Sequence, residues 1–72
     1  MADIGIGRRI SAWLAYRRIS QAEFAAILNM SRSTVSYWCT DSRYPSRESL
    51  QAILRALRTT TAKFFGPLPP RS

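Results

Sequence analysis

The chain has 72 residues, with eleven lysines and arginines against four acidic residues, one cysteine and no histidine. This length allows one small domain, near the lower limit for a chain that folds without metal or disulfides. The single Cys39 excludes an internal disulfide, and without histidine a zinc site is not expected. We therefore predict an all-helical core that holds no metal or other cofactor.

The positive charge narrows the class of partner. The net charge is +7, and ten of the eleven basic residues are arginine, whose forked guanidinium matches phosphates and guanine edges. This composition favours a polyanion such as nucleic acid, although a merely solubilising surface would carry the same charge. No apolar run approaches the roughly 20 residues of a membrane span, and the N-terminus lacks the apolar stretch of a signal peptide. We expect a cytoplasmic protein that contacts no membrane.

The first predicted helix runs from Ile4 to about Arg18, with Asp3 as its N-cap. Its apolar residues recur at helical spacing and form one stripe, namely Ile6, Ile10, Trp13 and Leu14. We expect this helix to be packing scaffold, with Arg17 as its one candidate for touching a phosphate.

Residues 20–39 are predicted to form two short helices joined by a tight corner. Ser20 is suited to be the N-cap of the first, with Glu23 completing a capping box. Asn29 tolerates the left-handed backbone that ends a helix, and Ser31 is the predicted N-cap of the next.

The second of these helices has two distinct faces. Val35 and Trp38 lie three apart and are predicted to face the core. The opposite, polar face carries Arg32, Ser33, Ser36 and Tyr37. Two helices in this arrangement are typical of a helix-turn-helix, whose second helix enters the major groove of DNA.

The remainder of the chain is predicted to hold two more helices. A loop over residues 40–45 precedes a helix from Arg47 to Arg58 that starts after Pro45 and Ser46. The buried face of that helix is Leu50, Ile53, Leu54 and Leu57. A last turn, capped by Thr59 or Thr60, contains Ala62, Lys63, Phe64 and Phe65. We place the domain at residues 1–66 and an extended proline-rich tail at 67–72.

The aromatic residues have two interpretations. A set of rings such as Trp13, Phe24, Trp38, Phe64 and Phe65 can stack bases in proteins that bind single strands. Their spacing favours core packing instead. We keep Phe64, Phe65 and Leu68 as candidates for an exposed apolar patch that suits a dimer partner.

An ordered set of residues with fixed spacings matches a known family pattern, namely Ser20, Gln21, Ala25, Ser31, Val35, Ser36, Trp38, Pro45, Leu50, Ile53 and Leu57. On these residues the chain resembles the Cro and repressor family of phage and bacterial regulators over about residues 4–66. The resemblance implies an all-α domain of five short helices with a helix-turn-helix. It also implies that the base-contacting positions are Arg32, Ser33, Ser36 and Tyr37, and that the phosphate-contacting positions are Ser20, Gln21, Thr34, Thr40, Arg43, Tyr44 and Arg47.

The chain departs from the family pattern in two ways. An arginine in helix one and a glutamate at the end of helix three are often paired in the family, and those positions match Leu14 and Cys39 here. We expect Cys39 to be a packing residue rather than a redox switch. Glycines common in the family are also replaced, by Arg18, Asn29 and Asp41.

We predict a sequence-specific regulator that binds double-stranded DNA and represses transcription by occupying a promoter at a palindromic operator. Such regulators commonly bind as homodimers, and no small-molecule ligand is expected. The alternative is an antitoxin or another protein-binding module whose DNA binding is secondary. We reject an enzyme, because no acid-base pair or nucleophile can be assembled from one cysteine and four scattered carboxylates.

Overall fold

The computed structural model describes residues 5–69, and these residues form five helices and no strand. The helices are α1 (Ile6–Arg17), α2 (Gln21–Leu28), α3 (Arg32–Cys39), α4 (Arg47–Ala56) and α5 (Thr61–Phe64). The predicted all-α class with five short helices is confirmed. The division between a domain ending at residue 66 and a tail stays a prediction.

Helix α1 begins later than the sequence predicts. Its N-cap is Gly5, which has no side chain to bond the first turn. The predicted N-cap, Asp3, lies outside the described residues; because the N-cap position is held by Gly5, that prediction is wrong. The first-turn N–H groups of α1 therefore donate no hydrogen bond to a local cap side chain.

The other helices start where the sequence predicts, and of the two candidate caps of the last turn, Thr59 and Thr60, the structure has Thr60. The side chains of Ser20, Ser31, Ser46 and Thr60 each accept a hydrogen bond from the backbone N–H three residues later. In α2 the Glu23 side chain also accepts from the Ser20 N–H at 3.0 Å, which completes the capping box. These bonds satisfy backbone donors that have no partner within a helix.

Four residues that follow helices have a left-handed backbone conformation, and none of them is a glycine. Arg18, Asn29, Asp41 and Arg58 have φ values of 58°, 56°, 59° and 55°. The predicted role of Asn29 is confirmed, and Arg18 adopts the same conformation at the end of α1. The left-handed region of φ and ψ disfavours residues other than Gly, Asn and Asp. The two arginines therefore require support from their surroundings.

The core lies between α1, α2 and α3, and α4 closes it against α2. It consists of Ile6, Ile10, Trp13, Leu14, Phe24, Ala25, Val35, Trp38, Ile53, Leu54, Leu57 and Phe64. Leu50 is only partly buried against this cluster. The predicted stripe of α1 and the predicted inward positions of α3 are therefore confirmed.

The aromatic rings lie mostly in the core. Trp13, Phe24 and Trp38 are buried, which confirms packing over base stacking. Phe64 is fully buried as well, so it does not belong to the candidate exposed patch. Phe64 is the last residue of α5, and its ring packs in the core. The neighbouring Phe65 is 39% exposed.

Two arginines of α1 tie it to the C-terminal half of the chain. The Arg9 guanidinium donates to the carbonyls of Phe64 at 3.1 Å and Gly66 at 2.6 Å. The Arg17 guanidinium donates to the carbonyls of Leu57 at 2.9 Å and Arg58 at 3.1 Å. Both side chains satisfy carbonyls at the ends of α4 and α5, where helices leave acceptors without partners.

None of the helices in residues 5–69 is long and apolar enough to cross a membrane.

Candidate nucleic-acid interface

The outward face of α3 is set by how the helix is anchored. Val35 and Trp38 are 0% and 4% exposed and pack into the core. The corner after α2 is closed by a bond from the Met30 N–H to the Ala25 carbonyl at 2.9 Å. Because α3 is only eight residues long, burying one side of it leaves the opposite side facing solvent.

The four predicted base-contacting residues lie together on that face. Arg32, Ser33, Ser36 and Tyr37 line one shallow depression of about 260 Å³. Arg32, Ser33 and Tyr37 are exposed, and Ser36 is half-buried. The depression thus presents a guanidinium, two hydroxyls and a phenol, and α3 carries no acidic residue. Such a set of donors and acceptors suits the edges of base pairs.

The loop after α3 holds Arg43 against this face. The Arg43 guanidinium carbon lies 5.0 Å from the centre of the Tyr37 ring. The backbone N–H groups of Ser42 and Arg43 donate to the Tyr37 carbonyl at 2.9 and 3.2 Å. The predicted phosphate-contacting Arg43 and the predicted base-contacting Tyr37 are therefore neighbours.

Thr40 has its hydroxyl bonded within the chain. Its Oγ1 donates to the Ser36 carbonyl at 3.0 Å and lies 3.3 Å from the Tyr37 carbonyl. The Ser42 hydroxyl lies 2.9 Å from the same oxygen. Because a hydroxyl has one proton, Thr40 can accept from a neighbour but has already used its donor. Ser42, which the sequence did not single out, is the exposed hydroxyl beside it.

Other predicted phosphate-contacting residues lie at helix starts. Ser20 is the N-cap of α2 and accepts from the Glu23 N–H at 3.0 Å, and Gln21 is the first residue of that helix. Thr34, in the first turn of α3, has its hydroxyl 2.8 Å from that of Ser31. Helix N-termini present free N–H groups and a positive dipole end, both of which attract phosphate.

The last two predicted contacts lie beyond the corner. Tyr44 is 71% exposed in the loop, and Arg47 is the first, exposed residue of α4. The structure thus places the predicted phosphate-contacting residues in three regions: the start of α2, the first turn of α3, and the segment from Thr40 to Arg47.

Two side chains near this surface have shifted pKa values. The hydrogen bond from the Ser20 backbone, followed by that of the Ser20 side chain, lowers the pKa of Glu23. Burial raises the pKa of the Cys39 thiol, with a smaller upward effect from the Asp41 charge and a downward one from a Ser11 hydrogen bond. The thiol is therefore held protonated and packs partly against the core, which supports the packing role over a redox one. Within residues 5–69, no group of three or more Cys, Asp or Glu side chains could hold a metal ion.

One contact of the site region was not predicted at all. Asp41 accepts a hydrogen bond from the backbone N–H of Gly7 at 2.9 Å, across 34 positions of sequence. No local pattern indicates such a bond, because it depends on how α1 packs on α3. The only sequence signal is an acidic residue at a corner where the family commonly has glycine.

Comparisons with known proteins agree with this geometry. A family model described as helix-turn-helix matches residues 14–64. The solution structure of the DNA-binding domain of the P22 C2 repressor is similar, with 27% identity, a TM-score of 0.87, and coverage of 96% of this chain and 92% of that one. No curated protein sequence matches the chain.

A second solved protein shares the fold. The wild-type restriction-modification controller protein C.Esp1396I is 23% identical, with a TM-score of 0.75 over 83% of this chain and 77% of that one. Its Y37A mutant gives a TM-score of 0.76 at the same identity, over 83% and 78% of the two chains. From the family match, the fold and the polar outer face of α3, the chain belongs to the helix-turn-helix family, as a DNA-binding regulator of the Cro and repressor type.

Proposed function

We propose that this regulator binds a two-fold symmetric operator in duplex DNA through α3 and represses transcription by occupying the promoter. The observation that carries the proposal is the gathering of Arg32, Ser33, Ser36 and Tyr37 on the exposed face of a helix without acidic residues. The similarity to the DNA-binding domain of a repressor supports repression as the outcome.

The chemistry of these side chains fits reading from the major groove. Arg32 is the first residue of α3 and can donate two hydrogen bonds to O6 and N7 of a guanine. Such a contact is worth about 1–3 kcal/mol of discrimination against other bases. Ser33, Ser36 and Tyr37 can reach neighbouring base edges or a thymine methyl. Arg32 is therefore the main determinant of specificity in this proposal.

Phosphate contacts would fix the protein on the duplex without reading its sequence. We assign this role to Ser20, Gln21, Thr34, Thr40, Arg43, Tyr44 and Arg47. The helix starts that carry Gln21 and Arg47 support the assignment, since N-terminal backbone donors favour phosphate. Thr40 fits less well than the others, because its hydroxyl proton is already donated to a carbonyl.

A homodimer follows from the small number of base contacts that one copy can make. In regulators of this class, two recognition helices lie about one helical turn apart, roughly 34–36 Å, on adjacent half-sites. We assign the dimer surface either to α5 and the tail or to the C-terminal end of α4. The exposed ring of Phe65 supports the first of these surfaces, whereas Phe64 cannot take part because it is buried.

The test is to select duplexes from a random pool with the wild-type protein and to titrate wild type, Arg32→Ala and Arg8→Ala against the selected and random duplexes. Arg8→Ala removes the same charge from an exposed position on α1. We expect wild type to prefer the selected duplex by at least about 10³-fold. Arg32→Ala should lose much of that preference with little change in salt dependence, and Arg8→Ala should keep it.

Two results would contradict the proposal. If wild type binds every duplex alike, the basic surface is generic and the alternative of a protein-binding module is favoured. If Arg8→Ala loses as much preference as Arg32→Ala, the loss reflects charge and not base reading by α3.

A further inference from the structure

The N-terminus of α1 is capped by a residue from a distant part of the chain. Its own N-cap, Gly5, offers no side-chain acceptor to the first-turn N–H groups. The Gly7 N–H instead donates to Asp41 Oδ1 at 2.9 Å. A carboxylate at this end of a helix also opposes the positive end of the helix dipole. Asp41 therefore does for α1 what a local N-cap does for the other helices.

The backbones of α1 and α3 also lie very close together at Gly7. A Cβ at Gly7 would lie 2.5 Å from the carbonyl oxygens of both Trp38 and Cys39, which belong to the last turn of α3. Any larger residue would therefore push α1 away from α3. The start of α1 is docked directly on the end of α3, with the Asp41 bond beside the point of closest approach.

Asp41 makes this bond from a corner that favours glycine. Its φ of 59° is left-handed, a conformation that Asp tolerates better than most residues but less well than Gly. A glycine there would relieve the backbone, but it would leave the Gly7 N–H without this acceptor. The presence of an acidic side chain at the corner is accounted for by the bond.

We propose that Asp41 is a positioning residue, whose carboxylate holds the end of α3 against the start of α1 and so fixes how α3 is presented to DNA. The effect on DNA rests on the proposed function. The cap itself does not, because it is a contact within the free protein. No polar atom of Asp41 needs to touch DNA for this role.

Three variants separate the hydrogen bond from the charge. Asp41→Asn keeps an oxygen acceptor and Asp41→Gly removes it, and both raise the net charge by one. Asp41→Gly also suits the left-handed corner, so it adds no backbone strain. Gly5→Ala leaves Asp41 in place, but the new Cβ would lie 2.5 Å from Asp41 Oδ2 and must displace the carboxylate.

The first measurement is amide hydrogen exchange of Gly7 in the free protein, below the unfolding temperature of every variant. We expect faster exchange in Asp41→Gly and Gly5→Ala, and exchange close to wild type in Asp41→Asn. Equal exchange in Asp41→Gly and Asp41→Asn would overturn the cap, because only one of them keeps the acceptor.

The second measurement is the affinity ratio between the selected and the random duplex at one salt concentration. We expect Asp41→Gly and Gly5→Ala to lower this ratio about tenfold, the effect of weakening one good base contact, while Asp41→Asn keeps it. Combining Gly5→Ala with Asp41→Gly should add nothing, because both remove the same bond.

Either of two results would overturn the role in DNA binding. An unchanged ratio in Asp41→Gly, although its Gly7 amide exchanges faster, would reduce the cap to a stabilising contact. A wild type that shows no preference for the selected duplex would overturn the proposed function and this role with it, while the exchange measurement would still decide the cap.

Discussion

At the scale of single residues, the arginines of this chain have different roles. Arg32 lies on the exposed face of α3, whereas Arg9 and Arg17 have their guanidinium groups bonded to backbone carbonyls. Arg17 also lies over the rings of Trp13 and Tyr16, at 5.7 and 5.2 Å from their centres. The fork of an arginine can bond two carbonyls and stack on a ring at once, which a lysine cannot do. Net charge alone therefore overstates the number of side chains free to meet DNA.

Replacing Arg17 by alanine should destabilise the fold. The variant removes the bonds to the Leu57 and Arg58 carbonyls and the stacking on Trp13, although solvent near Arg17 weakens these interactions. We expect a loss of about 1–2 kcal/mol in the free energy of unfolding, measured in urea. Arg8→Ala, the matched control on the same helix, should stay within about 0.5 kcal/mol of wild type. Equal losses in the two variants would show that the Arg17 contacts contribute nothing.

At the scale of elements, each helix start is specified by a cap, and α2 has the most complete one. The Ser20 hydroxyl accepts from the Glu23 N–H, and the Glu23 carboxylate accepts from the Ser20 N–H, both at 3.0 Å. The hydrogen bond from the Ser20 backbone is the main reason why the pKa of Glu23 is lowered. This capping box fixes the start of the helix that supports α3.

The lowered pKa of Glu23 gives the stability of the fold a predictable dependence on pH. Because the folded state holds the carboxylate charged, its contribution is present above the pKa of the unfolded chain and is lost as the pH falls through the lower, folded pKa. Thermal unfolding of wild type and Glu23→Gln should therefore differ at neutral pH and converge in acid.

The matched control for that measurement is Glu48→Gln. It removes a carboxylate from the first turn of α4. In that turn the side chain of the N-cap Ser46 accepts a hydrogen bond from the Ser49 backbone N–H. We expect its difference from wild type to be smaller than that of Glu23→Gln. If the difference in thermal unfolding between wild type and Glu23→Gln does not change with pH, the role assigned to the carboxylate is contradicted.

Local patterns predict most of this fold, because caps and helical stripes depend on residues that lie close together in the sequence. The sequence predicts Ser20 and Ser31 as N-caps and the start of α4 after Ser46, and the polar face of α3 follows from its spacing alone. Residues joined only by packing could not be found this way. The bond from Gly7 to Asp41 and the bonds of Arg9 link positions at least 34 residues apart. For the same reason the sequence leaves Phe64 as a candidate for an exposed patch, since nothing near it shows that α5 returns to the core.

At the scale of the whole molecule, the dimensions suit one copy on each half-site. The longest extent of the described residues is 32 Å, slightly less than the roughly 34–36 Å between successive recognition helices in this class. This length is of the same order as the spacing between recognition helices that the proposed dimer requires. In the proposed function, a single copy offers the four side chains of the α3 depression to the bases.

The central claim is that Arg32 reads a guanine. It is tested most directly by substituting 7-deazaguanine, which lacks the N7 acceptor, at each guanine of the selected duplex in turn. We expect wild type to lose about 1–2 kcal/mol of binding free energy at one guanine in each half-site, and Arg32→Ala to lose nothing further there. A substitution that weakens wild type and Arg32→Ala equally at every guanine would show that Arg32 does not read this base.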